Sequence, residues 1–416
     1  MHAASRKRIL FLASIAAMTS MGIDMSLPGI PWIEADLGAR LGQGVLSASL
    51  FVAGFAVMPL IGGPLSDCFG RSRLLLVSLI SFVVAAIGCA SAPSMPVLLA
   101  FRLVQGCASG IATTLPLAIV SDSLTGDAAR QTMSEISTLS GFMPIVAPAL
   151  GNWVIHIGGW RLLFGAQAAF VTVLAVSAPR FPESLAERSR QQLDPRNILR
   201  NYRALISEPE LRVCALVFGL LFACTFCFTA VSPLVLIQRL GMSRATFALV
   251  MGINAVGSIL GAATSALLSK RRVSAQRIIF AGLILTAIST AFAATLQWER
   301  FSMVWGLLPP AFLAFFGFNL AGPSLLLEAL KHVPALLGSG SGLMRCIFML
   351  MNSVASGLLG VYCARHLQYT ERVSTLVMLT LAVSAAALYG WYSSRTDPIF
   401  EDFASALRKR DRLTHD

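Results

Sequence analysis

Long apolar runs separated by short polar intervals organise this chain. A run of about twenty apolar residues can cross the roughly 30 Å hydrocarbon layer of a bilayer as a helix. The pattern predicts twelve such spans, at residues 9–30, 44–63, 74–92, 97–120, 133–155 and 162–178, then 213–237, 246–268, 278–296, 303–327, 338–364 and 373–392. Backbone groups in lipid must bond within their own segment, so each span is expected to be an α-helix. The longest polar interval falls between the sixth span and the seventh. The predicted fold is therefore an all-α integral membrane protein of two six-helix bundles. Residues 1–180 form the first bundle, 181–212 a linker, 213–392 the second bundle and 393–416 a tail. Six spans, a linker and six spans is the layout of transporters built from repeats, whose site lies near the midplane between the halves.

Composition excludes a soluble chain. Of 416 residues, 56% are hydrophobic and 12% charged, whereas soluble domains carry about a quarter charged. The net charge of +12 comes from Lys and Arg that flank spans, including Arg6, Lys7, Arg8, Arg71, Arg73, Lys270, Arg271 and Arg272. By the positive-inside rule both termini are expected in the cytoplasm. The same scatter argues against nucleic acid as a partner, because no single basic face forms. Arg6-Lys7-Arg8 before an apolar run also fits a signal peptide, but the run is long and a regular series of spans follows it.

Enzyme chemistry finds no foothold. The eight cysteines lie almost all within spans. Cys224 and Cys227 have redox spacing, but that motif needs a thioredoxin-like setting and here sits in an apolar helix, where small packing residues are the simpler reading. No His pair has metal-ligand spacing, and there is no phosphate-binding G-x-x-x-x-G-K-[ST] loop. No cofactor or metal is expected, and energy would come from an ion gradient.

The polar residues inside spans carry the function. Asp24 lies in the first span, where an acid costs about 2.5–3.5 kcal/mol on insertion scales, so such residues are kept for protons, ions or substrate. Arg102 lies in the fourth span. With a rise of about 1.5 Å per residue, both sit roughly 10 Å below the same membrane face. Opposite charges at like depth can pair and lower each other's cost. One reading makes Asp24 the proton carrier, ionised while Arg102 is close and protonated when the two part; the other is a static structural salt bridge.

After the second span comes Gly63-Pro64-Leu65-Ser66-Asp67-Cys68-Phe69-Gly70-Arg71-Ser72-Arg73, expected to be a tight loop. Gly63 and Gly70 permit close approach or positive φ. Asp67 and Arg71 can pair if the stretch is helical, or Asp67 can cap another helix. This loop resembles the signature between the second and third helices of the major facilitator superfamily. Arg102-Leu103-Val104-Gln105-Gly106, with Gly110, is similar to that family's fourth-helix pattern. Ala147-Pro148-Ala149-Leu150-Gly151-Asn152 resembles its fifth-helix antiporter motif, around Pro148 and Gly151. Ile23-Asp24-Met25-Ser26-Leu27-Pro28 and Gly159-Trp160-Arg161 resemble the bicyclomycin and chloramphenicol exporters of the Bcr/CflA group. The resemblance implies a bacterial inner-membrane drug:proton antiporter working by alternating access, with small-molecule substrate and protons as partners, monomeric in the lipid bilayer. It also implies that the first and fourth helices line the cavity. Broad-specificity exporters carry a second acid two turns before the first; here that position is Ala16. Specific motifs occur only in the first half, and Ser269-Lys270-Arg271-Arg272 lacks a counterpart of Asp67. A same-fold carrier of a metabolite or siderophore, and a membrane sensor that transports nothing, are the rival readings.

In the second half Phe218, Phe222, Asn319 and Arg345 are the candidate cavity residues. Phe218, Phe222 and Phe226 share one helix face, which suits either a drug pocket or ordinary packing. Arg345 either faces the cavity and favours anionic or polar substrates, or snorkels to the surface. Glu328 is expected to pair with Lys331. Gly106-x-x-x-Gly110 and Gly257-x-x-x-Gly261 allow close helix contact. The tail from Asp397 suits a capped amphipathic helix.

Overall fold

The computed structural model describes residues 6–40, 43–124, 132–133, 135–136, 139–140, 142–181, 183–185, 195–239, 241–295, 303–331, 333, 337–366 and 370–396. Among them the first span is broken into α1 (Arg6–Ala16), α2 (Met18–Ile23) and α3 (Ile30–Asp36), with a short 3₁₀ turn at Leu27–Gly29. Then follow α4 (Gln43–Phe69), α5 (Arg71–Ala90), α6 (Met95–Ser123), α7 (Met143–Ser177) and the linker helix α8 (Pro195–Ser207). The second half holds α9 (Pro209–Ser232), α10 (Arg244–Lys270), α11 (Ala275–Thr295), α12 (Met303–Lys331), α13 (Leu337–Arg365) and α14 (Thr370–Thr396). Ten described helices are long and apolar enough to cross a membrane, and the bent first span makes eleven. The 35-residue α7 contains non-helical backbone at Gly158 and Gly159, where the predicted fifth span passes into the sixth. With that break counted, the helices agree with twelve crossings.

The structure corrects several expectations. Residues 63–69 are not a loop: α4 continues to Phe69, and Gly70 alone, with φ 91°, turns the chain into α5. Gly63 has neither positive φ nor any close neighbour. The first span is not continuous, because Pro28 and Pro31 each remove a backbone donor and the chain leaves the α-helix after Ile23. The linker, expected only as a polar interval, contains α8. The seventh span ends in a π-helical segment, Pro233–Arg239. Part of the predicted fifth span and the whole predicted tail helix lie outside the described residues.

Glycines set the closest helix contacts. On α6, a Cβ at Gly106 would collide with the Phe51 carbonyl of α4, and one at Gly110 with that of Phe55. The second half inverts the arrangement: Gly257 and Gly261 of α10 lie against the backbone of Phe312 and Phe316 of α12. Small residues let backbones approach where lipid offers no hydrophobic drive for association. The halves meet where α4 packs on α13 and α7 on α10. Across the first seam Ser353 donates to the Ser49 carbonyl at 2.7 Å, and the Ser49 and Ser356 hydroxyls lie 2.9 Å apart.

Gly106→Val is expected to lower thermal stability in detergent, since overpacking costs about 1–3 kcal/mol. Gly63→Ala, in open space, is expected to leave it unchanged or slightly higher; equal loss at both positions would contradict the packing described.

Candidate functional site

Arg102, from the middle of the first bundle, is fully buried. Its Nε donates to the Ser47 hydroxyl at 3.0 Å and its Nη1 to the Gly22 carbonyl at 2.8 Å. Nη1 also reaches Gln105 Oε1 at 2.8 Å, and Nη2 reaches the Ser26 hydroxyl at 3.4 Å. Gln105 passes the chain to Gln167 at 2.9 Å, which donates to the Met21 carbonyl at 2.9 Å. Phe51 lies against the guanidinium, 4.6 Å from ring centre to Cζ, close enough for a cation–π contact. Arg102, Gln105 and Gln167 thus hold Gly22 and Met21, immediately before the break in the first span. Ser26 also satisfies its own turn, donating to the Ile23 carbonyl at 2.7 Å.

The break carries Asp24. Its carboxylate is half-buried and bonded to Ser20 one turn back. The expected ion pair is not formed: among the described residues nothing joins Asp24 to Arg102, whose donors are taken by neutral carbonyl, hydroxyl and amide oxygens. The fifth-helix motif meets this point from the other side. Gly151 lies so close to the Met25 carbonyl that a Cβ would collide with it, and Pro148 is buried nearby in α7. Gly106 belongs to the α4–α6 contact, while Gln105 belongs to the Arg102 chain.

Beyond the break, α3 is held by two acids that sequence reading passed over. Buried Glu34 accepts from the Gly44 amide at 2.7 Å, and from Gln238 Nε2 at 3.1 Å in the second half. Asp36 accepts from Trp160 Nε1 at 3.2 Å and pairs with Arg161. Leu27 and Ile30 pack with Cys227, Phe228, Val231 and Leu234 of the seventh span. The two halves are therefore closed together on the Glu34 face. Both acids sit just after a predicted span, where a solvated end was the natural reading.

At the opposite face Arg71 is a hub. It pairs with Asp67 at 2.6 Å and Asp122 at 3.0 Å, and bonds the Ser66 hydroxyl. Glu183, from the segment after α7, accepts from the backbone amides of Arg71 at 2.9 Å and Ser72 at 3.1 Å. It caps the start of α5, where orphan donors and the helix dipole favour an anion. Asp67 pairs with Arg71, as spacing allowed, and the capping role falls to Glu183. Arg73 is exposed. Tyr202 of α8 donates to the Leu60 carbonyl at 3.0 Å, and Leu205, Leu211 and Leu343 form a small core beneath it. The linker helix thus touches both halves on this face.

In the second bundle Phe218 and Phe222 do not stand alone. Phe348 of α13 lies 4.8 Å from Phe218 and 5.1 Å from Phe222, and Phe318 of α12 lies 5.3 and 5.6 Å from them. Asn319 donates to the Phe315 carbonyl at 3.0 Å within its own helix. Arg345 is exposed, on the same side of α13 as Phe348. Glu328 and Lys331 are 3.6 Å apart. Cys224 and Cys227 are buried in helix packing. A separate small apolar hollow, lined by residues such as Phe228, Val231, Thr290, Pro310 and Met378, lies among α9, α11, α12 and α14.

A Major Facilitator Superfamily model matches residues 11–356. The chain is 25% identical over 392 residues to "Uncharacterized MFS-type transporter YdgK" of Bacillus subtilis (strain 168), covering 92% of this chain and 95% of that one. It is 26% identical to "Multidrug resistance protein MdtL" of Shewanella sp. (strain ANA-3), covering 91% and 96%. Among solved structures, a bacterial homologue of the human lysosomal transporter Spinster superposes with a TM-score of 0.72 at 16% identity, covering 94% of this chain and 97% of that one.

Arg71→Gln leaves Asp67 and Asp122 without their cation, and is expected to cost about 1–3 kcal/mol, read as a clear fall in melting temperature of the purified protein. Arg73→Gln, which removes a solvated charge, is expected to change it little; comparable losses would deny the hub.

Proposed function

This chain belongs to the Major Facilitator Superfamily, and from that premise we propose that it is a proton-coupled secondary transporter, exporting small amphipathic compounds by antiport. Family membership makes it a transporter and not an enzyme. The observation that carries the coupling is Asp24: a half-buried carboxyl at the second break of the first span, with the Gly22 carbonyl before it held by Arg102. Intramembrane acids in such settings handle protons. In this reading Asp24 takes and releases the proton, and Arg102 positions the break without pairing with it.

Export is supported by the likeness to the multidrug resistance protein MdtL and by the first-half motifs. The excess of basic residues at the Arg71 face supports a cytoplasmic side there, and the reading takes the membrane as a bacterial inner membrane with both termini inside. Alternating access would close the Glu34 face, as here, and then open it while the Arg71 face closes. One charge moving through 100 mV supplies about 2.3 kcal/mol, enough for modest accumulation.

In proteoliposomes, a panel of neutral, cationic and anionic amphiphiles is expected to include at least one that evokes proton movement through wild type and none through Asp24→Asn. Full proton-coupled transport by Asp24→Asn would sink the coupling assignment. Silence of folded wild type across the panel would instead favour a dedicated metabolite carrier. Glu34→Ala, which unties Gln238 and the Gly44 amide, is expected to raise labelling of a single cysteine placed beneath the Glu34 face by a membrane-impermeant maleimide; unchanged labelling would mean that this contact does not hold the closure.

A further inference from the structure

Resting on the transporter reading, we propose that the second-bundle site takes an amphipathic organic anion, with its acid group on Arg345 and its apolar body on the phenylalanine cluster. Arg345 is placed beside that cluster: its side chain is exposed, and it stands one turn before Phe348, whose ring meets Phe218 and Phe222 of α9. No carboxylate answers it: among the described residues it has neither ion pair nor hydrogen bond. Arg102 shows the contrast, since each of its nitrogens has an acceptor. A guanidinium within a membrane bundle is costly, and one left with all five donors free is matched to a carboxylate or sulfonate that arrives with the ligand.

The apolar part of the ligand has its own surface. Phe348 is three residues beyond Arg345, so the two share one side of α13. Its ring meets Phe218 and Phe222 of α9, and Phe318 closes the group from α12. These four rings are only partly buried, so ring faces or edges remain for a ligand. A third feature lies two turns on. Asn352 is fully buried, and both its amide oxygen and nitrogen lack partners, a rare state for a buried amide. Spaced seven residues from Arg345, it lies on the same side of α13 and can serve a second polar group of the ligand. A charged head, an aromatic bed and a spare amide describe an arylated acid better than a lipophilic cation.

The test is equilibrium binding of three probes of one shape to full-length protein in nanodiscs: a naphthoate, its methyl ester, and naphthylmethylammonium. Wild type is expected to bind naphthoate about tenfold tighter than the ester, the size of one charged hydrogen-bonded contact, and tighter still than the cation. Arg345→Gln should erase that preference, Arg345→Lys should keep part of it, and Phe222→Ala should weaken acid and ester alike. Equal binding of acid and ester by wild type, a preference for the cation, no measurable naphthoate binding, or a preference that survives Arg345→Gln would each overturn the proposal. Binding needs no proton movement, so an Arg345-dependent preference without transport would uphold this site while sinking the transport reading.

Discussion

A guanidinium sealed inside a membrane bundle has to find acceptors, and Arg102 finds them in a helix that has come apart. Pro28 and Pro31 end the first span's hydrogen bonding, and carbonyls just before the break would be left open. In lipid each such group costs several kcal/mol. Arg102 covers Gly22 and Gln167 covers Met21, while Ile23 keeps a backbone donor, the Ser26 amide. The cost of the buried charge and the cost of the broken helix therefore offset each other. Neither feature would be stable alone, and Asp24 owes its placement to both.

From that break the constraint runs to the closed face. The seven-residue α3 is too short to bend much. Gly29 packs beneath Ile155 and Trp160, Asp36 is tied to Trp160 and Arg161, and Glu34 reaches the Gly44 amide and Gln238. The Leu27–Gly29 turn links the start of this element to Asp24, and its other end helps join the two halves. A charge change at Asp24 and a change of closure are thus mechanically adjacent, with no need for a path through the rest of the bundle.

The fold was largely legible because the length and apolarity of spans are set by the bilayer, and helix ends such as 209, 270 and 365 fall within a few residues of the predicted ones. Asp24 and Arg102 stood out because a charge among apolar neighbours needs a reason, and Arg71 through the glycine-punctuated motif that holds it. Their partners did not. Asp122 and Glu183 are distant in sequence from Arg71, and each looks like an ordinary polar residue at a span end. Glu34 and Asp36 gave no signal for the same cause, since only tertiary packing buries the first and pairs the second. The Asp24–Arg102 pair failed for a different reason. Equal depth brings two residues to one level, but it says nothing of neutral competitors, and carbonyls released by the broken helix lay nearer.

The charges left over are the ones that can work. In the first bundle Arg102 is spent on structure, which leaves Asp24 without a cation partner among the described residues. In the second bundle Arg345 has no acid partner among the described residues. On the proposed reading each is left for what arrives from solution: a proton at Asp24, an anionic group at Arg345. The proposed antiport would require that the two ligands not be carried together. With separate sites, exclusion cannot rest on competition for one group and has to come through the shared closure. The element placed to do this is α3, because it follows Asp24 across the Leu27–Gly29 turn and reaches, through Gln238, the span that also carries Phe218 and Phe222.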